Sequence, residues 1–315
     1  MVSIAVYVED DADYPRQVNE AFAERAPDIH VVDWATAMGA PDSIDYALVW
    51  MPPIGDLARL PALRAVFSLS AGVDHIVARD PDWPACLPLI RMAGEETGRL
   101  MADYLLWACI STIRGARGWA LQQNERVWKR MVVTRSTADC VVGIMGLGQL
   151  GRYAARHLNR CGFAVQGWSR SPKVIEGVRT FDGAAGLEPF LAGTDILICL
   201  LPNTPQTRNI INARVLRALR PGGAFINVGR GEHVVESDLL SALDDGVLSA
   251  AVLDVFQHEP LPVTSPLWAH PSVIVTPHIA SQASVVARVD YLIGCIRSMQ
   301  RGERPEQIFD ISRGY

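Results

Sequence analysis

The sequence predicts an α/β protein made of two doubly wound parallel-sheet domains, and three observations lead there. Short apolar runs alternate with longer stretches of helical spacing along nearly the whole chain, the way parallel strands joined by helical crossovers read. The runs fall into two series with a long helical stretch between them. The length of 315 residues is about twice the roughly 150 residues of a typical single domain.

The first series opens with a run at residues 4–8, then a helical stretch at 14–25, then runs at 30–32, 46–49 and 65–68 and a last one near Leu89. From Glu95 to about Gly118 the spacing predicts one helix. Its apolar residues, among them Leu100, Met101, Tyr104, Leu105, Trp107 and Ile110, cover more than one face, so it should be buried against more than its own domain. The second series has runs at 141–145, 164–168, 195–200, 224–228, 250–255 and 273–276. Each is nearly continuous in apolar residues, as strands covered on both faces should be. Residues 284–301 are again helical by spacing, and no further sheet follows. That helix is placed back on the first domain, giving residues 1–96 plus 284–315 as one domain and 97–283 as the other. Pro202, Pro221-Gly222-Gly223 and Pro277 fall at strand ends, where connections belong.

Composition narrows the function. Lys and Arg number 29 against 34 Asp and Glu, a net charge of −5 that argues against a nucleic-acid partner. No apolar run approaches the roughly 18 residues that span a bilayer, and the first ten residues lack the basic start of a secretory leader, so no membrane partner is expected. Cys86, Cys109, Cys140, Cys161, Cys199 and Cys295 are scattered, mostly in apolar runs, without metal-ligand spacing. They read as reduced core residues of a cytoplasmic protein, and no metal is expected.

One motif carries a cofactor. The run at 141–145 leads into Gly146-Leu147-Gly148-Gln149-Leu150-Gly151 and then a helical stretch at 152–160, which is GxGxxG between strand and helix. The first Gly permits the tight turn, the second lets backbone N–H groups approach a pyrophosphate, and the third lets helix pack on strand, as in a Rossmann dinucleotide domain. About 20 residues on, where an acid normally holds a ribose 2′-hydroxyl, stands Ser169-Arg170-Ser171-Pro172-Lys173. An Arg, a Lys and two hydroxyls suit a 2′-phosphate, so NADPH is expected over NADH, with NADH possible. The plainer reading is a basic, solvated surface loop.

Three ionisable residues follow the strands of the second series: Arg230 in Gly229-Arg230-Gly231, Glu259 before Pro260, and His278 after Thr276-Pro277. Strand carboxyl ends form the ligand crevice of open α/β sheets. Reduction of a 2-oxo acid needs a proton donor, a group that orients it and favours its charged form, and a cation for the substrate carboxylate, roles that His278, Glu259 and Arg230 fit. Singly, each also has an ordinary structural reading, and His233 and His258 remain rival donors.

The ordered set Gly146-Leu147-Gly148-Gln149-Leu150-Gly151, Leu201-Pro202-Asn203-Thr204-Pro205, Asn227-Val228-Gly229-Arg230-Gly231, Leu253-Asp254-Val255-Phe256 with Glu259-Pro260, and Thr276-Pro277-His278 resembles the D-isomer-specific 2-hydroxyacid dehydrogenases over essentially the full chain. Within that family, Ala47-Leu48-Val49-Trp50, Ser70-Ala71-Gly72-Val73-Asp74, Trp168-Ser169-Arg170-Ser171 and Arg313-Gly314-Tyr315 resemble the NADPH-dependent glyoxylate/hydroxypyruvate reductase A subgroup. Two stretches depart from it: Met51 stands where His would be expected, and Ser111-Thr112-Ile113-Arg114 replaces a more basic, aromatic segment.

The resemblance implies a flavodoxin-like substrate domain, an inserted Rossmann domain and an active site in the cleft. It assigns the donor, orienting and clamp roles to His278, Glu259 and Arg230. It further implies a substrate carboxylate received by backbone N–H groups of Ala71, Gly72 and Val73 with Trp50 nearby, a nicotinamide carboxamide bonded by Asp254, and cofactor contacts at Leu200, Pro202 and Val228. The expected activity is NADPH-dependent reduction of a short 2-oxo acid such as glyoxylate or hydroxypyruvate, by a homodimer joined through its nucleotide domains. The alternatives are a family member acting on a larger 2-oxo acid, formate or phosphite, and a dinucleotide-sensing binding protein; the intact Arg, Glu and His set counts against the last.

Overall fold

The computed structural model describes residues 2–311 except 134, together with Gly314. Arg313 and Tyr315, part of the subgroup resemblance, lie outside the described residues. The chain divides into two compact units, Met1–Thr97 with Ala283–Tyr315, and Gly98–Gln282.

The first unit holds β1 (Val2–Val8), α1 (Tyr14–Arg25), β2 (Ile29–Asp33), α2 (Trp34–Gly39), β3 (Tyr46–Trp50), β4 (Ala65–Ser68), α3 (Asp74–Val77) and β5 (Leu89–Ile90). Its strands are all parallel, in the order β2-β1-β3-β4-β5. Period-two alternation sends Ile4, Val6, Tyr46, Leu48 and Phe67 to one face, where Val18 and Phe22 of α1 cover them. Ala5, Ala47, Val49 and Val66 go to the other face, under Ala37, Leu57 and Ile76. With both faces buried, β3 is apolar throughout, whereas the edge strand β2 carries His30 and Asp33.

The second unit takes up most of α4 (Glu95–Arg114), then α5 (Ala116–Glu125), β6 (Val141–Met145), α6 (Gln149–Arg160), β7 (Ala164–Ser169), β8 (Arg179–Asp182), α7 (Gly183–Ala192), β9 (Ile196–Cys199), α8 (Ala213–Arg217), β10 (Gly223–Asn227), α9 (Glu236–Asp244), β11 (Leu248–Leu253) and β12 (Val273–Val275). The order β12-β11-β10-β9-β6-β7-β8, parallel throughout, reverses direction at β6, which pairs with both β7 and β9. Ile144, Val165, Ile198, Ile226 and Val252 face one layer, and Met145, Leu197, Phe225, Ala251 and Leu253 the other. Asp195, just before β9, is one of the buried polar residues. Its carboxylate accepts the Val141 N–H (2.8 Å) and pairs with Arg135 (2.7 Å) and Arg220 (2.9 Å). Burial works to raise its pKa, but these donors outweigh it and hold the group below the usual carboxylate range.

The last helix, α10 (Val285–Gln300), returns to the first unit. Val289, Leu292, Cys295 and Ile296 join the cluster of Val18 and Phe22, and Arg288 donates to the Tyr14 hydroxyl (3.0 Å). Residues 307–309 then line the edge of β5, Phe309 donating its N–H to the Leu89 carbonyl (2.7 Å).

Two expectations need correction. The helix expected to reach Gly118 stops at Arg114, because Gly115 takes a left-handed conformation (φ +64) and α5 starts afresh. On α4, Trp107 is 44% and Ile110 37% exposed. Of the cysteines, all free thiols, four are buried, but Cys161 is half-buried and Cys86 exposed. No helix among the described residues is long and apolar enough to cross a membrane.

Candidate active site

β6 and β9 lie side by side where the strand order reverses, and open α/β sheets form their ligand crevices at the carboxyl ends of such strands. From Met145 the chain enters the glycine loop. Gly146 has φ +105, and a Cβ on it would stand 2.5 Å from the Leu200 carbonyl oxygen. A Cβ on Gly151 would stand 1.9 Å from the Gly146 carbonyl oxygen, so that glycine lets α6 close onto β6. Gly148 differs. Its φ of −71 suits any residue, and nothing lies within 4 Å of where a Cβ would be. No contact inside the chain explains a glycine there. A phosphate drawn against the backbone at the start of a 12-residue helix does explain it, and the helix dipole favours the charge. The loop therefore fits a dinucleotide. Of its other residues, Leu147 is a core side chain beside Gly167, Gln149 is exposed and Leu150 half-buried.

β7 ends at Ser169, whose hydroxyl donates to the Ser171 carbonyl (2.8 Å) and curls the loop that follows. Arg170 and Ser171 are exposed, Lys173 is half-buried, and residues 169–175 contain no carboxylate. On the other side of β6, Leu200 donates its N–H to the Met145 carbonyl (2.8 Å) and Val228 donates to the Cys199 carbonyl (3.2 Å). Pro202 is half-buried, its carbonyl accepting the Thr207 hydroxyl (2.6 Å). These residues follow the ends of β9 and β10.

The ends of β10, β11 and β12, neighbours in the sheet, carry the ionisable set. Arg230, three residues past β10, donates from Nη1 to the Gly229 carbonyl (2.8 Å), and its own carbonyl accepts from Nδ2 of the buried Asn227 (3.0 Å). Glu259 accepts the Phe256 N–H (2.9 Å) on one oxygen and meets His278 Nδ1 (2.7 Å) with the other. Burial raises the Glu259 pKa, but the His278 bond, the charges of His278 and Arg230 and the Phe256 amide lower it further, leaving it below the usual range. His278 itself has φ +54, a strained conformation for a non-glycine.

Asp254 holds that strained turn in place. It is 1% exposed; Oδ1 accepts the Thr276 hydroxyl (2.6 Å) and the Ile279 N–H (2.9 Å), Oδ2 accepts the Ala280 N–H (2.9 Å), and its carbonyl accepts the His278 N–H (2.9 Å). The Tyr104 hydroxyl lies 2.6 Å from Thr276 Oγ1. The one Thr276 proton goes to Asp254, so Tyr104 is the donor. Neither Tyr104 nor Thr276 was assigned a role from sequence; the only cue was Thr276 standing before Pro277.

In the first unit, Ala71, Gly72 and Val73 form the turn between β4 and α3, knotted by the fully buried Ser68. Its hydroxyl donates toward the carbonyls of Gly72 (2.7 Å) and Ser70 (3.0 Å) and accepts the Ser70 N–H (3.1 Å). The Gly72 N–H points to the Ser70 hydroxyl (3.1 Å). Trp50 ends β3 with its ring 4.3 Å from that of His75, and Met51 after it has φ +51.

Residues 106–280 match the family model described as D-isomer specific 2-hydroxyacid dehydrogenase, NAD binding domain. The chain belongs to this dehydrogenase family. It is 40% identical over 297 residues, 93% of this chain and 94% of the relative, to glyoxylate/hydroxypyruvate reductase A of Serratia proteamaculans. A D-isomer specific 2-hydroxyacid dehydrogenase from Xanthobacter autotrophicus Py2, solved with NADPH and MES, superposes with a TM-score of 0.92 at 39% identity, covering 100% of this chain and 99% of that one. The NADPH-dependent glyoxylate/hydroxypyruvate reductase of Sinorhizobium meliloti, solved with NADP and sulfate, gives 0.89 at 39% identity over 100% of both chains.

Within this family member the geometry sorts the rival histidines. His233 is fully buried, with both ring nitrogens against backbone groups: Nδ1 is 3.1 Å from the Arg230 nitrogen and Nε2 3.1 Å from the Pro202 carbonyl oxygen. It cannot meet a substrate. His258 is exposed, whereas His278 is half-buried with Nδ1 held by a carboxylate.

Two outcomes follow for the dehydrogenase. Gly151→Ala should lower thermal stability by about 1–3 kcal/mol through overpacking, while Gly148→Ala should leave the melting temperature unchanged and weaken NADPH binding in a fluorescence titration. Equal losses of stability would contradict the separate roles. The Glu259 carboxyl, depressed in the folded protein, should titrate below about 4.3 by carbon-detected NMR, and its contribution to stability is lost only as pH falls through that depressed value. In His278→Asn it should titrate at higher pH; an unmoved value would mean that the imidazole contributes nothing to it.

Proposed function

We propose that this chain reduces a short 2-oxo acid of the glyoxylate/hydroxypyruvate class to the 2-hydroxy acid, D-configured where chiral, with NADPH. The observation that carries the reading is the His278 imidazole on the Glu259 carboxylate (2.7 Å), these two and Arg230 following the ends of adjacent strands. The 39–40% identical relatives that are named glyoxylate/hydroxypyruvate reductases, and the neighbours solved with NADPH or NADP, support the substrate class and the cofactor.

The Gly148 loop would hold the pyrophosphate, and Arg170 with Lys173 the 2′-phosphate, in a loop shaped by Ser169 and Ser171. Leu200, Pro202 and Val228 would line the cofactor, and Asp254, which holds the His278 turn, would accept from the carboxamide only through Oδ2, which among the described residues is bonded to the Ala280 N–H alone. When bound, NADPH supplies the hydride to the carbonyl carbon. As the C–O π pair moves onto oxygen, His278 Nε2 delivers a proton to it, and Glu259 stabilises the protonated ring through Nδ1. The Arg230 guanidinium would pair with the substrate carboxylate, and the Ala71, Gly72 and Val73 turn and Trp50 of the first unit are the further candidates for substrate binding. The balance is 2-oxo acid, NADPH and one proton giving 2-hydroxy acid and NADP⁺.

On this reading residues 1–96 with 284–315 serve the substrate and residues 97–283 the nucleotide. A homodimer joined through the nucleotide domains would cover Trp107, Ile110 and Trp119, which stand 37–44% exposed on α4 and α5. A cytoplasmic setting accords with six free thiols.

A panel of glyoxylate, hydroxypyruvate, larger 2-oxo acids, formate and phosphite, followed by nucleotide absorbance, tests the assignment. Glyoxylate or hydroxypyruvate with NADPH should give the highest kcat/KM, and His278→Asn should lower kcat by about 10²–10⁴ with little change in KM. Arg170→Ala should reduce the preference for NADPH over NADH by about ten- to a hundredfold, mainly through the NADPH KM. No turnover of any 2-oxo acid would sink the reading and favour a dinucleotide sensor. Light scattering should give about twice the 34.4 kDa chain mass, and a monomer would remove the dimer.

A further inference from the structure

His233 is a fully buried imidazole at the centre of the second unit's ligand end, and the proton-donor role leaves it unused. Its Nδ1 lies 3.1 Å from the backbone nitrogen of Arg230, which can only donate. That nitrogen of the ring is therefore the acceptor, and the ring proton sits on Nε2, 3.1 Å from the Pro202 carbonyl oxygen. One rigid ring thus bridges the Arg230 backbone to the segment that follows β9. The surroundings are built for it. A Cβ on Gly229 would stand 2.9 Å from Nδ1, so the glycine makes room for the ring. The segment bearing His233 is pinned from behind by the Asn209 N–H on the Glu232 carbonyl (2.8 Å) and the Ile211 N–H on the His233 carbonyl (2.9 Å). The Cys199 thiol, 3.5 Å from Nδ1, closes the pocket, and burial keeps it protonated.

We propose that His233 is a positioning residue for substrate binding: its Nδ1 fixes the backbone from which Arg230 projects, and its Nε2 ties that backbone to Pro202. This rests on the reading of Arg230 as the carboxylate clamp. A guanidinium on a long side chain presents its fork in one direction only if its Cα is held, and misplacement of a binding group by about 1 Å can cost a hundredfold in rate. Arg230 has left the ladder of β10, so the sheet no longer holds its N–H; the ring does.

Replacements of the ring separate its two bonds. In His233→Asn the side-chain amide oxygen can stand where Nδ1 was and still accept the Arg230 N–H. In His233→Gln the amide reaches the Nε2 position and can donate to Pro202, leaving the Arg230 N–H without its acceptor. With NADPH and glyoxylate, His233→Gln should raise the glyoxylate KM about tenfold, with kcat and the NADPH Kd within about twofold of the parent, whereas His233→Asn should stay within about threefold in KM. In an Arg230→Lys background the His233→Gln change should add almost nothing, since it acts through the guanidinium. The proposal is overturned if Asn is as damaging as Gln, if the Gln effect adds in full to Arg230→Lys, or if the NADPH Kd shifts as much as the KM. Arg230→Lys alone with an unchanged KM would instead remove the clamp reading, and this role with it. Should His233→Gln fail to fold, Gly229→Ala, whose methyl would press on Nδ1, carries the same expectation of a raised glyoxylate KM alone, and an unchanged KM in that variant would overturn the role.

Discussion

A carboxylate taken out of water must be met by donors, and Asp254 meets that demand in a way that shapes the whole corner of the candidate site. Its donors are the Thr276 hydroxyl and the amides of Ile279 and Ala280, so the chain after β12 has to wrap around the end of β11. Wrapping forces His278 into a left-handed conformation costing on the order of 1–2 kcal/mol. The hydrogen bonds to a charged acceptor, each stronger than a neutral one, exceed that cost. The imidazole then faces Glu259 as a result of where the buried charge sits. Tyr104 extends the constraint to α4, because its hydroxyl fills the remaining valence of Thr276.

Histidines of identical chemistry take different parts here because their surroundings spend their nitrogens differently. His233 has both nitrogens committed to backbone and no surface, which suits a brace. His278 has one nitrogen on a carboxylate and is partly open, which suits proton delivery. Residue type and order along the chain do not distinguish these cases; the partners of each ring nitrogen do.

The sheets were legible in the sequence where strands are buried on both faces. Residues 65–68 and 141–145 are strands over just the runs that their apolar character marks. β8 was not legible: Arg179-Thr-Phe-Asp is an edge strand with charged ends and offers no apolar run. The break at Gly115 was hidden because apolar spacing continues across it, while backbone conformation alone ends the helix. The glycine loop, and the placing of Arg230, Glu259 and His278 after neighbouring strands, were readable from motif context and strand-end positions. The inward side-chain bonds of Asp254 reach residues 22 to 26 positions away, one of the two ties of His233 reaches Pro202, 31 positions away, and spacing carries no record of them. Ser68 was hidden for the opposite reason: it lies next to the turn it knots, but a serine ending a strand is too common to mark.

The return of α10 to the first unit sets an order of assembly. The apolar face formed by Val18, Phe22, Ile4 and Tyr46 is completed by Val289, Leu292 and Ile296, which a ribosome makes only after the whole of residues 98–282. During synthesis that face is a greasy, half-roofed sheet, while the nucleotide unit is a continuous stretch of chain that can close its own core as it emerges. Closing a loop of this length costs only slowly growing entropy once its interior is folded and its ends are brought near. Vectorial synthesis therefore favours the inserted unit as the first to fold, with the older N-terminal segment waiting for its lid.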